Sequence, residues 1–172
     1  NNIAICMSGD LNPEQTVAII EKYFGNWKKS ETLSAPQYGA QPKFTAPVDT
    51  TVVGLEAEML YLGWRADKGN SLQCDTLDII GELLSNGSAG LYDLNLNRTM
   101  KVQSAGAGFS ELTDYSMFIA MGIPKKGQTL QEVRDLLLAE IEKLKKGDFS
   151  DDLLPSVINN YKRSYYTSLD NN

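Results

Sequence analysis

The 172-residue sequence contains no histidine. Without imidazole there is no Ser-His-Asp or Cys-His couple, no facial triad and no His-x-x-Glu-His zinc site within these residues. Cysteine is nearly absent: Cys6 lies in an apolar run and Cys74 in a helical pattern. A chain of this size needs no covalent staple, so two buried free thiols are expected rather than a bridge. No C-x-x-C spacing occurs, which removes a cysteine zinc site. Basic residues are in deficit, with 16 Lys and Arg against 22 Asp and Glu, and the net charge of -6 argues against a nucleic-acid or anionic-membrane surface. No apolar run approaches membrane-spanning length, and no signal-peptide pattern is visible. The chain opens on Asn1 and a strand-like run, which reads as a piece of something longer, so missing targeting signals say nothing about its compartment. What remains is a composition near the globular average, 42% hydrophobic and 22% charged.

The stretch from Val102 to Ile123 organises the rest. It has two runs of strand length joined by a polar link holding Thr113 and Asp114, the form of a hairpin with a four-residue loop. In the second run Tyr115, Met117, Ile119, Met121 and Ile123 share one face, while Ser116, Phe118, Ala120 and Gly122 share the other. Both faces are mostly apolar, which predicts a strand deep in a sheet under a helical layer. The first run carries Ser104, Ala105, Gly106, Ala107 and Gly108, with almost no side chain. Small residues in a strand mark close approach by another backbone.

In chain order, residues 2–8 (NIAICMS) read as a buried strand that breaks at Gly9. Asn12 then caps a helix with Pro13 at its first position and a stripe of Val17, Ile20, Tyr23 and Phe24. The GDLNPE turn lacks the glycine spacing and lysine of a phosphate loop and is a structural turn. Between Lys28 and Asp49 periodicity gives way to Pro36, Pro42, Pro47 and Gly39, the composition of a linker. Strand chemistry resumes at Thr51, Val52 and Val53 and again over residues 56–65. Glu56 and Glu58 share one side of that second run and read as a solvated strand edge rather than an acid-base pair. Asn70, with Gln73, is the expected cap of a helix burying Leu72, Leu77, Ile80, Leu83 and Leu84, which stops at Asn86-Gly87. Leu91 to Leu96 reads as two helical turns. Beyond the hairpin, Thr129 and Glu132 form a capping box for a helix that buries Leu130, Val133, Leu137, Ile141 and Leu144 and ends at Gly147. The last helix is expected near Ser150, with Phe149 stapled onto Leu154 and with Tyr161, Tyr165 and Tyr166 along a solvated face.

This order gives an α+β fold, a mixed or antiparallel sheet with helices mainly on one side. The expected boundary falls in a linker over 29–49, between a strand-helix segment, 1–28, and an α+β domain, 50–172.

The run NNIAICMSGDLNPEQTVAIIEKYFGNW resembles a segment of pitrilysin/insulinase-type zinc metallopeptidases: an apolar strand, Gly-Asp, a Pro-Glu helix start and Lys-Tyr-Phe-Gly. Tyr61-Leu62-Gly63-Trp64, the Leu83 to Ser88 run, Gly90-Leu91-Tyr92 and the hairpin before Lys146-Gly147 follow in the family's order. The resemblance implies a metallohydrolase-like fold and makes 1–28 the end of a preceding repeat and 50–172 much of the inactive second one, a non-catalytic domain. The family's zinc ligands, two histidines and a distal glutamate, lie in the first repeat. Zinc is therefore expected in the parent enzyme, and none in this fragment. The family's substrate-holding Arg, with a Tyr seven positions later, falls on Leu96 and Gln103, neither of which can do that work. This implies a piece from the N-terminal half of a long enzyme, or a non-peptidase relative. The family's substrate-catching turn and strand edge fall on Gly87, Ser88 and Gly90, and on Ala105, Gly106, Ala107 and Gly108.

Two functions follow. The first is a non-catalytic domain of a zinc metalloendopeptidase, partnered by the zinc-binding repeat of the same parent chain and by a peptide substrate. The second is a scaffold or peptide-binding subunit. Bare backbone on a small-residue strand suits β-augmentation in either case. A simpler reading has the small-residue strand covered by a neighbouring domain. Neither nucleic acid nor membrane is an expected partner; a homodimer stays open, as does the compartment, cytoplasmic or periplasmic in a bacterium.

Overall fold

A computed structural model of the protein describes residues 3–28 and 38–170. They belong to two compact units, Asn1–Val52 and Val53–Asn172.

In the first unit, α1 spans Pro13–Phe24, and its start follows the local signals: the Asn12 side chain accepts from the Gln15 backbone N–H at 3.1 Å, and Pro13 takes the first turn. No residue of α1 is buried, and Val17, Ile19 and Tyr23 are each more than half exposed. Residues 3–8 do not form the expected strand; Ile3, Ile5 and Met7 are exposed, and so is the Cys6 thiol, against the expectation of burial. A strand exists only with a ladder partner, and among the described residues none pairs with this run. Asn2 lies outside the described residues, as does the stretch 29–37 of the expected linker.

The second unit is built on β1 (Leu60–Ala66), β2 (Ser104–Ser110) and β3 (Ser116–Ile123), in the order β1-β3-β2 with antiparallel pairing throughout. The hairpin forms as expected with β3 at the centre, although its link includes Tyr115 and is one residue longer than anticipated. Residues 51–53 and 56–59 are not strand. Val52 and Val53 are almost fully exposed, and Glu56 and Glu58 precede β1 in irregular chain, so the β-branched residues there lack any ladder.

Helices α2 (Leu72–Leu84) and α3 (Leu130–Lys146) cover the face carrying Phe118, Ala120 and Gly122. Helix α3 has the expected capping box, and Gly147 closes it at φ 69. Helix α2 departs from expectation: Ser71 is the cap, its hydroxyl accepting from the Cys74 N–H at 3.3 Å, while Asn70 has a left-handed φ of 59. Leu72 is consequently exposed and Cys74 buried. The core comprises Leu84, Leu91, Tyr92, Leu96, Val102, Phe118, Val133 and Leu137. Helix α4 (Leu153–Leu169) packs Leu153 and Val157 on Leu83; Phe149 joins that cluster, while Leu154, its expected staple partner, stays exposed. Tyr161 is anchored by donating to Asp78 Oδ2 at 2.7 Å; Tyr165 and Tyr166 are exposed.

Candidate functional site

Residues 91–97 are helical, as the sequence suggests, but Asp93–Asn97 winds as a π-helical turn. Arg98 N–H reaches back five residues to the Asp93 carbonyl at 2.9 Å, and Lys101 to Leu96 at the same distance. Such a turn redirects side chains relative to an α-helix, and here it sends three polar groups to three places. Asp93 Oδ2 accepts from Asn86 N–H at 2.9 Å and from Gly90 N–H at 3.2 Å. Asn95 donates to Glu140 at 2.7 Å, a carboxylate only 3% exposed that also receives Lys143 at 2.7 Å. Asn97 turns to β2, where its Oδ1 accepts from Ala105 N–H at 2.7 Å and its Nδ2 donates to Ala105 C=O at 2.8 Å.

The candidate turn is held from within. Gly87 takes a left-handed φ of 77, and the Asn86 side-chain oxygen accepts from Ser88 and Ala89 N–H at 3.1 and 2.8 Å. Ser88 C=O receives Arg98 at 3.3 Å. Gly90 is packed so closely that an added Cβ would lie 2.5 Å from the Leu84 carbonyl oxygen. The N–H groups of Ser88, Ala89 and Gly90 are thus already engaged.

The candidate strand divides by direction. Ala105 exchanges both backbone groups with Asn97, so it faces away from β3. Backbone direction alternates along an antiparallel strand, so Ala107 and Phe109 also face outward, while Gly106 and Gly108 pair inward with Met121 and Ile119. Among the described residues no hydrogen bond to the Ala107 or Phe109 backbone is found beyond the sheet ladder. Helix α2 crosses the sheet face over β2, and Gly81 allows the approach: a Cβ there would sit 3.4 Å from Gly108 Cα and 3.7 Å from the Phe109 nitrogen. At the far end of β2 a cavity of about 120 Å³ is lined by Cys74, Asp75, Asp78, Phe109 and Glu111. The chain also has a cavity of about 530 Å³ lined by Leu91, Leu94, Asn95, Lys143, Phe149 and Leu153 among others.

The surroundings are acidic. Burial raises the Glu82 pKa, and the nearby Asp78 and Asp93 raise it further. A carboxyl whose folded pKa is raised lends stability when protonated and loses that contribution as pH rises through the folded value. Glu82→Gln is therefore expected to raise the thermal midpoint at pH 7, with the gain gone below the ordinary carboxylate range near about pH 4. Calorimetry at the two pH values checks this; equal destabilisation at both would contradict it.

Asp93 and Asn97, which tie the turn to the strand, escaped the sequence reading. The signal was the alternation in DLNLN, where Asp93, Asn95 and Asn97 are polar at every second position, a period foreign to an α-helix. As to a metal, the sequence offers no imidazole, and among the described residues no three Cys, Asp or Glu side chains gather to hold an ion. These residues do not fit a zinc site.

The family described as the peptidase M16 inactive domain matches residues 1–161. The chain belongs to that family. This inactive domain is 28% identical over 179 residues to the zinc protease PqqE of Helicobacter pylori, covering 98% of the chain and 39% of that protein. A solved structure described as a protease from Helicobacter pylori matches with a TM-score of 0.75 at 21% identity, covering 94% of the chain and 40% of its own. The chain thus spans 39–40% of these relatives. The likeness establishes the α+β fold of the M16 inactive domain.

Proposed function

We propose that this chain is the non-catalytic domain of a longer zinc metalloendopeptidase and forms part of the wall that encloses a peptide substrate. The observation that carries this reading is membership of the inactive-domain family over residues 1–161 in a chain with no histidine. In it, the zinc, its activated water and the general base belong to another repeat of the same parent chain. Residues 1–28 close that preceding repeat, 29–49 link, and 50–172 form the second repeat. The exposed alternation Ile3, Ile5, Met7 and the wholly unburied α1 support this, as apolar surface suited to a partner domain.

Within the wall, the outer edge of β2 anchors an extended stretch of substrate by strand addition. The small residues Ala105 to Gly108 and the outward groups of Ala107 and Phe109 support this role. The turn at Gly87, Ser88 and Gly90 belongs to the same anchor, tied to the Ala105 end through Asp93 and Asn97.

The test uses the full gene product. It should carry His-x-x-Glu-His upstream of Asn1, bind zinc and cleave unfolded peptides in a chelator-sensitive way. Ala107→Pro removes one outward N–H while leaving the inward ladder intact, since proline is tolerated on an edge. Peptide affinity should fall about tenfold with the unfolding midpoint nearly unchanged. A gene product without the motif, without zinc and without cleavage overturns the peptidase reading and leaves the second, a peptide-binding scaffold. Leu96 and Gln103, standing where the resemblance expects arginine and tyrosine, fit either reading: a piece from the N-terminal half of a long enzyme, or a non-peptidase relative.

A further inference from the structure

We propose that Asn97 is a register stop on the outer edge of β2: an added peptide strand pairs with Ala107 and Phe109 and ends short of Ala105. The inference rests on the strand-addition reading above.

A primary carboxamide carries one acceptor and two donors and is a close mimic of the peptide group. Asn97 uses it in that sense, receiving the Ala105 N–H and giving to the Ala105 C=O at 2.7 and 2.8 Å. One residue of β2 is therefore already paired, by a side chain standing in for a neighbouring strand. A peptide reaching Ala105 would break two good hydrogen bonds to make two, with no net gain. At Ala107 and Phe109 it has no hydrogen bond to break. The stop is firmly seated, because Ala105 is 5% exposed and Asn97 sits on a π-turn fixed by two five-residue backbone bonds.

The consequence is a short footprint of four hydrogen bonds, two at Ala107 and two at Phe109, to peptide residues two positions apart. The peptide residue between them lies opposite Gly108, where no protein side chain competes for space.

The experiment measures a decapeptide of alternating valine and lysine on the full gene product. N-methylation is scanned along the peptide, and amide exchange is followed at Ala105, Ala107 and Phe109. Two methylated positions, spaced by two, should each lower affinity about tenfold, and the peptide should slow exchange at Ala107 and Phe109 only. In Asn97→Ala, Ala105 should exchange freely without peptide; with it, protection should extend to Ala105 and a third sensitive position should appear. Three sensitive positions in the natural protein overturn the stop, as does an Asn97→Ala footprint that still ends at Ala107. The N-methyl scan needs no variant, so it decides even if Asn97→Ala fails to fold. Absence of any protection at Ala107 and Phe109 overturns strand addition itself, and the stop with it.

Discussion

Gly90→Ala should destabilise the second unit by about 3 kcal/mol, the upper end of the range for overpacking. The added methyl would lie 2.5 Å from the Leu84 carbonyl oxygen, 2.6 Å from its carbon and 2.7 Å from the Ser85 nitrogen. All three are backbone atoms at the end of α2, so no rotamer change relieves the clash. Relief requires moving either the helix end or the Asn86–Asp93 hydrogen bond, and Leu84 is itself fully buried. Gly87→Ala is the comparison: it has open space around it but a left-handed φ of 77, and should cost about 1 kcal/mol. Urea denaturation measures both. A Gly90→Ala protein with an unshifted midpoint would mean that this glycine is not a packing residue, and that its place in the family-like Gly-Leu-Tyr run has another cause.

The second large effect lies across the sheet, where Gly122 of β3 meets α3. A Cβ at 122 would collide with Val133 Cγ1 and lie 3.2 Å from Leu137 Cδ1, and both side chains are fully buried. Gly122→Ala is expected to cost about 2 kcal/mol by overpacking. Val133→Ala should cost a similar amount, about 2 kcal/mol, by opening a cavity. In the double variant the added methyl takes space vacated by Val133 Cγ1, although a second methyl is lost with it, so the double variant should be more stable than the sum of the singles by about 1 kcal/mol or more. Additive losses in a denaturant-based cycle would place the strain somewhere other than this contact.

These expectations separate two uses of glycine that the sequence presents alike. Gly108 would meet nothing within 4 Å if given a side chain, and it lies on the strand whose outer edge is open. Gly90 and Gly122 are small because neighbouring atoms occupy the space. The sequence marks all three, and the packing partner tells them apart.

The candidate site was legible in outline only. The small-residue run of β2 stood out by composition and Asn86-Gly87 as a helix stop, while the resemblance alone singled out residues 87–90 as a turn and tied both to peptide capture. What occupies their hydrogen-bonding groups could not be read, because Asn86, Asp93 and Asn97 act through side chains whose direction depends on the π-turn. An ordinary helical reading of 91–96 gives a different fan of directions.

The sequence by itself determined whatever rests on bonds between residues a few positions apart. The Asn12 cap with Pro13, the Thr129–Glu132 box, the Gly147 terminus and the alternation of β3 are of this kind. It also determined the missing chemistry, since a chain without histidine lacks the family's metal ligands wherever it folds. Only the tertiary structure decided whether a strand-like run becomes a strand. Residues 3–8 and 51–53 have the right side chains, but an extended segment gains its hydrogen bonds from a partner remote in sequence, and among the described residues they have none. The same holds for the edge of β2. Its openness at Ala107 and closure at Ala105 follow from where Asn97 and Gly81 come to rest, which depends on how the π-turn and α2 settle against the sheet.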